Sequence, residues 1–446
     1  MIHGAVFQGT SGDGGDDDRH QLGLADWNQA LAHPEVGLHV DQGGRSSLHR
    51  KGVLVLAAAD FDDPRMRANL ADLGVDRDEF EYEREGATGQ GLGFGVVRLG
   101  GGVSAVEAGR FLRALEGRRP LRVGPDHLIS LAQGRLMLSP AAPPEPDQLT
   151  YERQARRQEL AAVTPVVPVA VIDSGLVEPV LATDPLLRAG TTAAVAADAL
   201  DPFWDGGAGE LRKWDGGHGT FVAGVLAEAS QGTARLVHYG VCRPIGGGGP
   251  LSHVPDTEVA RAVSSALGAG CRVINLSMAG PTALNHGTLA TALVMAQAAG
   301  SGEPGPGGQR DDDAVVVAAA GNEGTSQPMY PAALKGVVAV GAVESSGSGH
   351  APFSNFGPWV DCCARGVDVF GPYVTGRGGP VAGAPAAVFF DGWATWSGTS
   401  FATPYVAGLI ARAIAGGITS ARVAAASVLA GGLPLDPALG LGVLLR

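Results

Sequence analysis

From Pro165 onward, short unbroken apolar runs recur at Val169 to Ile172, Arg235 to Val241, Val273 to Leu276, Val315 to Ala319 and Val337 to Val340. Turn residues bound each run, and alanine-rich stretches with helical spacing, such as 257–269 and 287–299, lie between them. A strand apolar on both faces is one buried on both faces, the pattern of parallel sheets covered by crossover helices. The predicted fold is therefore α/β, a doubly wound, mostly parallel sheet with helices on both faces. In such sheets, reactive groups collect at the carboxyl ends of the strands.

The region before it has a different rhythm. An apolar run at Val53 to Ala58 is followed by a helix-like segment, Pro64 to Leu73, then strands near Phe80 to Tyr82 and at Gly93 to Leu99. An amphipathic stretch, Val103 to Leu115, leads to a last strand at Leu121 to Val123. The order β-α-β-β-α-β predicts a small ferredoxin-like α+β unit over 51–135. Residues 1–50 are polar, acidic and turn-rich and read as poorly ordered. Residues 136–164 read as a linker, stiffened by Pro140-Ala-Ala-Pro-Pro-Glu-Pro146 and followed by a charged helical patch containing Arg153, Arg156 and Arg157. The large domain spans 165–446.

Composition narrows the partners. A chain of 446 residues, 45% hydrophobic and 17% charged, has the material for two packed cores. A net charge of -13 argues against nucleic acid or an anionic membrane as partner. No run approaches the ~18 apolar residues of a membrane span. The first residues lack a basic start and an apolar stretch, and the four cysteines (Cys242, Cys271, Cys362 and Cys363) include no CxxC pair. Both features lead to the expectation of a cytoplasmic protein with free thiols. The aspartates at 13–18 allow a calcium loop or a solvated turn, and they lack the alternating ligand pattern of the former.

Four short motifs carry candidate chemistry. Asp173 ends the run Val169-Ala-Val-Ile-Asp-Ser-Gly175, where a buried strand can hold a carboxylate rigidly against a histidine; a helix-capping role is equally open to it. His218 lies in Gly216-Gly-His-Gly-Thr-Phe-Val-Ala-Gly224, with glycines for a tight turn and an apolar helix start behind. Ser400 lies in Trp396-Ser-Gly-Thr-Ser-Phe-Ala-Thr-Pro404, a turn feeding a helix. It reads as a nucleophile beside backbone donors, or as a plain helix cap. Asn322 follows Val315-Val-Val-Ala-Ala-Ala-Gly-Asn, where its amide suits an oxyanion donor or a left-handed turn.

Taken together, in the order Asp, His, Asn, Ser, these motifs resemble the subtilase family over about 165–415: DSG, HGTxVAG, AAAGN and SGTSxATP. The resemblance implies a serine endopeptidase with Asp173, His218 and Ser400 as triad and Asn322 as oxyanion donor. It implies a protein or peptide substrate and no cofactor for the chemistry, with structural calcium that no residue pattern places. Ser277, Met278, Ala279 and Gly280, with Ala319, Ala320 and Gly321, match the walls of the primary specificity pocket. They imply an uncharged residue before the cut, with the Ala279 methyl favouring a small one. Gly247 to Ser252, including Gly249 and Leu251, match the edge that pairs with substrate; a flexible glycine loop is the other reading. Phe221 stands where the family often has a second histidine, and Cys362-Cys363 where it often has Val-Ala. The unit at 51–135 would be an inhibitory prodomain, with Arg122-Val-Gly-Pro-Asp-His-Leu128 as its closing strand. A catalytically restrained binding protein or scaffold is the alternative function.

Overall fold

The computed structural model describes residues 28–446 apart from isolated positions and short stretches, the longest being 82–91, 132–140, 142–147, 192–198, 243–251, 302–312 and 379–387. Its core is an eight-stranded sheet ordered Leu433–Pro434, Val443–Leu444, Cys362–Arg365, Val337–Val343, Val315–Ala319, Val273–Leu276, Val167–Asp173 and Ala234–Gly240. Only the edge strand Leu433–Pro434 is antiparallel. The five apolar runs are its strands, and alternate residues of each serve opposite faces. Val169, Val171, Val315 and Val317 pack into one core with the helices His218–Ala229 and Thr399–Ala415. Ala170, Ile172, Ile274 and Val316 pack into the other with Asp256–Gly268 and Leu289–Ser301. An antiparallel hairpin, Val369–Arg377 with Phe389–Trp396, stands beside this sheet and leads directly into the Thr399–Ala415 helix.

The first unit has the expected order: strand Ser46–Ala57, helix Pro64–Asp72, strands Phe80–Glu81 and Phe94–Arg98, helix Ala105–Ala114 and strand Val123–Ser130. Its sheet runs Val123–Ser130, Ser46–Ala57, Phe94–Arg98, Phe80–Glu81, all antiparallel, which is ferredoxin-like topology. The apolar run at Val53 is continuous because both faces of this sheet are covered. Leu54 and Leu56 face the unit's own helices with Met66, Leu70 and Leu112, whereas Val53 and Val55 face the large domain with Val254, Val259 and Leu293.

Three segments depart from the sequence reading. Within the stretch expected to lack order, Val36–Val40 pairs antiparallel with the start of Ser46–Ala57, in register from Val36 opposite Arg50 to Val40 opposite Ser46. This short strand, Val-Gly-Leu-His-Val, gains its order by pairing with its neighbour in the chain, and the acidic, turn-rich character of the stretch around it hid that. The closing strand continues to Ser130 rather than stopping at Val123, because His253–Pro255 of the large domain extends the sheet beside it. The charged patch in the presumed linker is the helix Gln148–Leu160, and it is anchored to the large domain. Arg157, 1% exposed, donates from Nε and Nη2 to Asp184 at 2.8 and 2.9 Å, and from Nη1 to Glu228 and the Gly224 carbonyl. Its guanidinium also lies 5.9 Å from the Trp393 ring centre, and that of Arg153 lies 5.0 Å from Phe370.

A buried charge whose partner is removed is poorly solvated, and such losses cost ~3–5 kcal/mol. Arg157→Ala is therefore expected to lower unfolding stability by about that amount, leaving Asp184 without its main partner. Urea melts of wild type and variant measure it, and an unchanged midpoint would contradict the anchoring role.

Candidate active site

Asp173 is the last residue of the buried strand Val167–Asp173, and His218 opens the helix that crosses behind it. Asp173 Oδ1 accepts from His218 Nδ1 at 2.7 Å and from the Ser174 N–H at 2.7 Å. Both side chains are sealed from water, at 2% and 1% exposure. Two glycines make the approach feasible. A Cβ on Gly219 would lie 2.5 Å from the Gly175 carbonyl oxygen and 3.2 Å from Asp173 Cβ, so only glycine fits. Gly175 itself holds φ at +117°, a left-handed conformation open to glycine. Trp396 meets the His218 ring edge-on at 5.4 Å, and Phe401 lies at the same centroid distance. Phe221 is fully buried against Phe401 at 4.8 Å and Trp396 at 5.7 Å. A phenylalanine at this position thus completes an aromatic wall behind His218.

Ser400 is the second residue of the helix Thr399–Ala415, whose preceding residue is Gly398. Its carbonyl accepts from Ser277 Oγ at 2.8 Å, and Ser277 Oγ accepts from Asn275 Nδ2 at 3.0 Å, which ties the helix start to the strand Val273–Leu276. Asn322 follows the tip of the strand Val315–Ala319, and its Oδ1 accepts from both the N–H and the Oγ1 of Thr399, each at 2.9 Å. Those donors fix which end of the amide is oxygen, so the Asn322 NH2 remains free to donate elsewhere. Asn355 holds the same turn, donating to the Ala320 carbonyl at 2.8 Å and accepting from the Glu323 and Thr325 N–H groups. The structure therefore brings Asp173, His218, Asn322 and Ser400 to one end of the sheet.

The cleft between them is occupied by the chain itself. Ser130 exchanges hydrogen bonds with Ala279, donating at 3.1 Å and accepting at 3.0 Å, and Leu131 N–H donates to the Ser252 carbonyl at 3.1 Å. One flank is therefore Ser252–Pro255, which begins at the last residue of the predicted edge Gly247 to Ser252; Gly249 and Leu251 themselves lie outside the described residues. The other flank is the predicted segment Ser277 to Gly280. The second predicted wall, Ala319, Ala320 and Gly321, is equally buried. A Cβ placed on Gly321 would lie 3.4 Å from that of Ala279, so the two walls face each other closely. Ser400 Oγ is 3.4 Å from the carbonyl oxygens of Leu131 and Ser277, while His218 Nε2 has no hydrogen-bond partner among the described residues. The serine hydroxyl thus leans toward the docked strand and not toward the histidine.

Other candidates separate cleanly. Cys362 and Cys363 are both fully buried, and burial pushes the Cys363 thiol up to about 12 and raises that of Cys362 well above its ordinary value. Neither is poised to react at neutral pH. Among the described residues no group of three or more His, Cys, Asp or Glu is arranged to hold a metal, and the aspartates at 13–18 fall outside them. No described helix is long and apolar enough to cross a membrane. The sequence reading missed Leu131 and Ser130, whose placement depends on docking, and Asp201, which belongs to no motif. Ser174 was visible inside DSG.

A doubly wound parallel sheet with helices on both faces, gathering a buried Asp-His pair, a serine at a helix start and an asparagine amide at one end, places the chain in the α/β class. Residues 166–427 match the model of the subtilase family, and the chain belongs to that family. It is 36% identical over 202 residues to the thermophilic serine proteinase of Bacillus sp. (strain AK1), covering 44% of this chain and 41% of that one. It is 32% identical over 257 residues to subtilisin E of Bacillus subtilis (strain 168), covering 55% and 54%. The chain thus spans about half the length of the curated relatives it matches. Among solved structures, fervidolysin from Fervidobacterium pennivorans, a keratinolytic enzyme related to subtilisin, superposes with a TM-score of 0.56 at 19% identity, covering 89% of this chain and 60% of that one. That likeness is one of fold.

Because the obstacle at Gly219 is backbone, Gly219→Ala must push the His218 turn away from Asp173. Misplacement of about 1 Å at a reacting centre costs ~10²-fold. Reaction of Ser400 with a fluorophosphonate probe is expected to slow by that order, and a wild-type rate would refute the packing argument.

Proposed function

We propose that the chain is a serine endopeptidase whose N-terminal unit is an inhibitory prodomain. The observation that carries the reading is the strand ending at Leu131. It is paired on both edges like a bound peptide, and it leads to the hydroxyl of Ser400. A cleft that binds extended backbone through alternate hydrogen bonds suits peptides better than small esters.

In the proposed mechanism, Ser400 Oγ attacks the scissile carbonyl carbon as His218 Nε2 takes its proton. His218 then passes that proton to the leaving amine. Asp173 holds the Nδ1–H tautomer and stabilises the imidazolium. The Asn322 NH2 and the Ser400 backbone N–H hold the oxyanion, and water hydrolyses the acyl-enzyme by the reverse path. The chemistry requires no cofactor. Small apolar walls at Ala279, Ala319 and Ala320 favour a small uncharged residue before the cut, worth ~1–3 kcal/mol per methylene excluded. Ser400 Oγ lies 3.4 Å from the Leu131 carbonyl oxygen, so self-processing is expected after Leu131 or Ala132. The helix Gln148–Leu160 would then stay with the mature enzyme, bound through Arg157.

Fluorophosphonate labelling of wild type and Ser400→Ala tests the nucleophile, and equal labelling of both would sink the proposal. Asn322→Ala is expected to lose on the order of 10²–10³ in kcat, the magnitude known for the matching donor in subtilisin itself and borrowed from it. Intact mass and N-terminal sequencing of wild type should reveal a chain starting at Ala132 or Gln133, whereas Ser400→Ala should stay full length. An uncleaved, probe-reactive wild type would favour the restrained scaffold.

Docking should also depend on pH. His127 Nε2 accepts from the Ala283 N–H of the large domain at 2.9 Å, so this ring sits in the interface as the neutral form. Burial, aided by His49 opposite it, pushes His127 down to about 3, and burial pushes His49 to about 4. A folded value below the ordinary ~6.5 means that release takes up a proton. The stabilisation is whole above about pH 6.5 and is lost as pH falls toward the folded values. At pH 5 the loss is roughly 2 kcal/mol for His127. Asp256, raised to about 7 mainly by burial and in smaller part by Asp126, opposes this only through the smaller part. Size-exclusion of cleaved protein should retain the fragment at pH 7.5 and shed it near pH 5; retention at both would contradict the histidine argument.

A further inference from the structure

Asp201 lies outside every motif, yet it is buried at 5% exposure where the two triad turns meet. Its Oδ2 accepts from Ser174 Oγ at 2.8 Å and from the Gly217 N–H at 2.8 Å, while Oδ1 accepts from the Phe203 N–H at 2.8 Å. Ser174 follows Asp173 in the chain, and Gly217 precedes His218. Ser174 Oγ in turn accepts from the Gly219 N–H at 3.0 Å, so donors on both sides of His218 close on this one network. Asp201 touches neither the cleft nor any reacting atom.

We propose that Asp201 is a positioning residue, a clamp that sets the distance between the Asp173 turn and the His218 turn and so keeps the proton between them in place. The proposal rests on the triad reading above and extends it to a residue that the subtilase motifs do not contain. The chemistry requires an acceptor on both oxygens. Only the ionised carboxylate offers a lone pair to the hydroxyl and to both N–H groups at once. An amide at the same position would have to aim its NH2 at Ser174 and Gly217, or at Phe203, so that two donors face each other.

The surroundings make this clamp responsive to acid. Burial raises the Asp201 carboxyl to about 6, its three hydrogen bonds pull it down, and Asp215 pushes it up again. The other titratable groups around it are Asp173 and His218 on the turns it joins, Lys213 beside Asp215, and Cys242 and Tyr373, both of which are held protonated by burial and by these carboxylates. Below about pH 6, Asp201 gains a proton and one acceptor position becomes a donor. Protonation of Asp201 then weakens the clamp, and its loss should steepen the acid limb of the rate profile.

The test uses the full chain, self-processed, with Asp201→Asn and, against the chance that this variant folds poorly, Ser174→Ala, which cuts the same bridge and leaves Asp201 in place. In wild type, log kcat/KM for a peptide substrate should fall below pH 6 with a slope one greater than in Asp201→Asn. In Asp201→Asn kcat should be at least tenfold lower and KM within twofold; Ser174→Ala should move the same way by a smaller factor. A purely structural role would lower the amount of folded protein without altering the slope. In parallel, the low-field proton resonance of His218 Nδ1–H is followed by NMR in the Ser400→Ala background. Its exchange with water should quicken at least tenfold when Asp201 is replaced. Unchanged slope, rate and resonance would overturn the clamp. A wild type inert to substrate, with the resonance still sensitive to Asp201, would instead remove the peptidase reading and leave the clamp standing.

Discussion

The 2.7 Å hydrogen bond between Asp173 and His218 is the contact on which the rest of the site depends. A carboxylate and an imidazole at near-zero exposure hold each other only if the backbone around them cannot relax. The buried strand Val167–Asp173 fixes Asp173 from below, and the absence of a side chain at Gly219 lets the histidine turn approach. Trp396, Phe401 and Phe221 close the back of the imidazole with apolar surface. The other candidate groups are fixed at the same end of the sheet by contacts of their own: Asn322 through Thr399, and Ser400 through Ser277 and Asn275.

The second organising fact is that the small unit does not merely precede the large domain but completes it. One face of its sheet forms a common core with the helices Asp256–Gly268 and Leu289–Ser301, and its last strand borrows His253–Pro255 as a neighbour. Asp126 shows the same economy. It accepts from the N–H and hydroxyl of Thr257 at the start of a large-domain helix while paired with Arg50 of its own unit. Apolar burial supplies the affinity of this contact, and the carboxylate and His127 supply its register. The hydrogen bonds that seat Ser130 and Leu131 in the cleft also leave Ser400 Oγ beside the Leu131 carbonyl and not bonded to His218.

Much of this was legible before any coordinates. The parallel sheet followed from apolar runs with no polar alternation, since a strand covered on both faces must be apolar on both. Asp173, His218, Asn322 and Ser400 were legible because each is bracketed by small residues that the local backbone requires, and those requirements stay within a few positions along the chain. Phe221 was identified as a departure, but its partners were not, as an aromatic wall assembles from Trp396, Phe401 and Tyr373 on separate elements.

What the sequence by itself determined is local: which segments are strands or helices, where a turn needs glycine, and which side chains stand at strand ends. Tertiary structure alone decided the rest. It continued the closing strand to Ser130, ordered Val36–Val40, buried Arg157 from a segment that reads as a linker, and recruited Asp201 from an unremarkable stretch. Val36–Val40 pairs within a local hairpin, but in the other three cases a polar or charged group finds its partner far along the chain, as Arg157 finds Asp184, Asp201 finds Ser174 and the Ser130 backbone finds His253. Composition records the cost of burying such a group, and only the packed fold supplies the partner that offsets it.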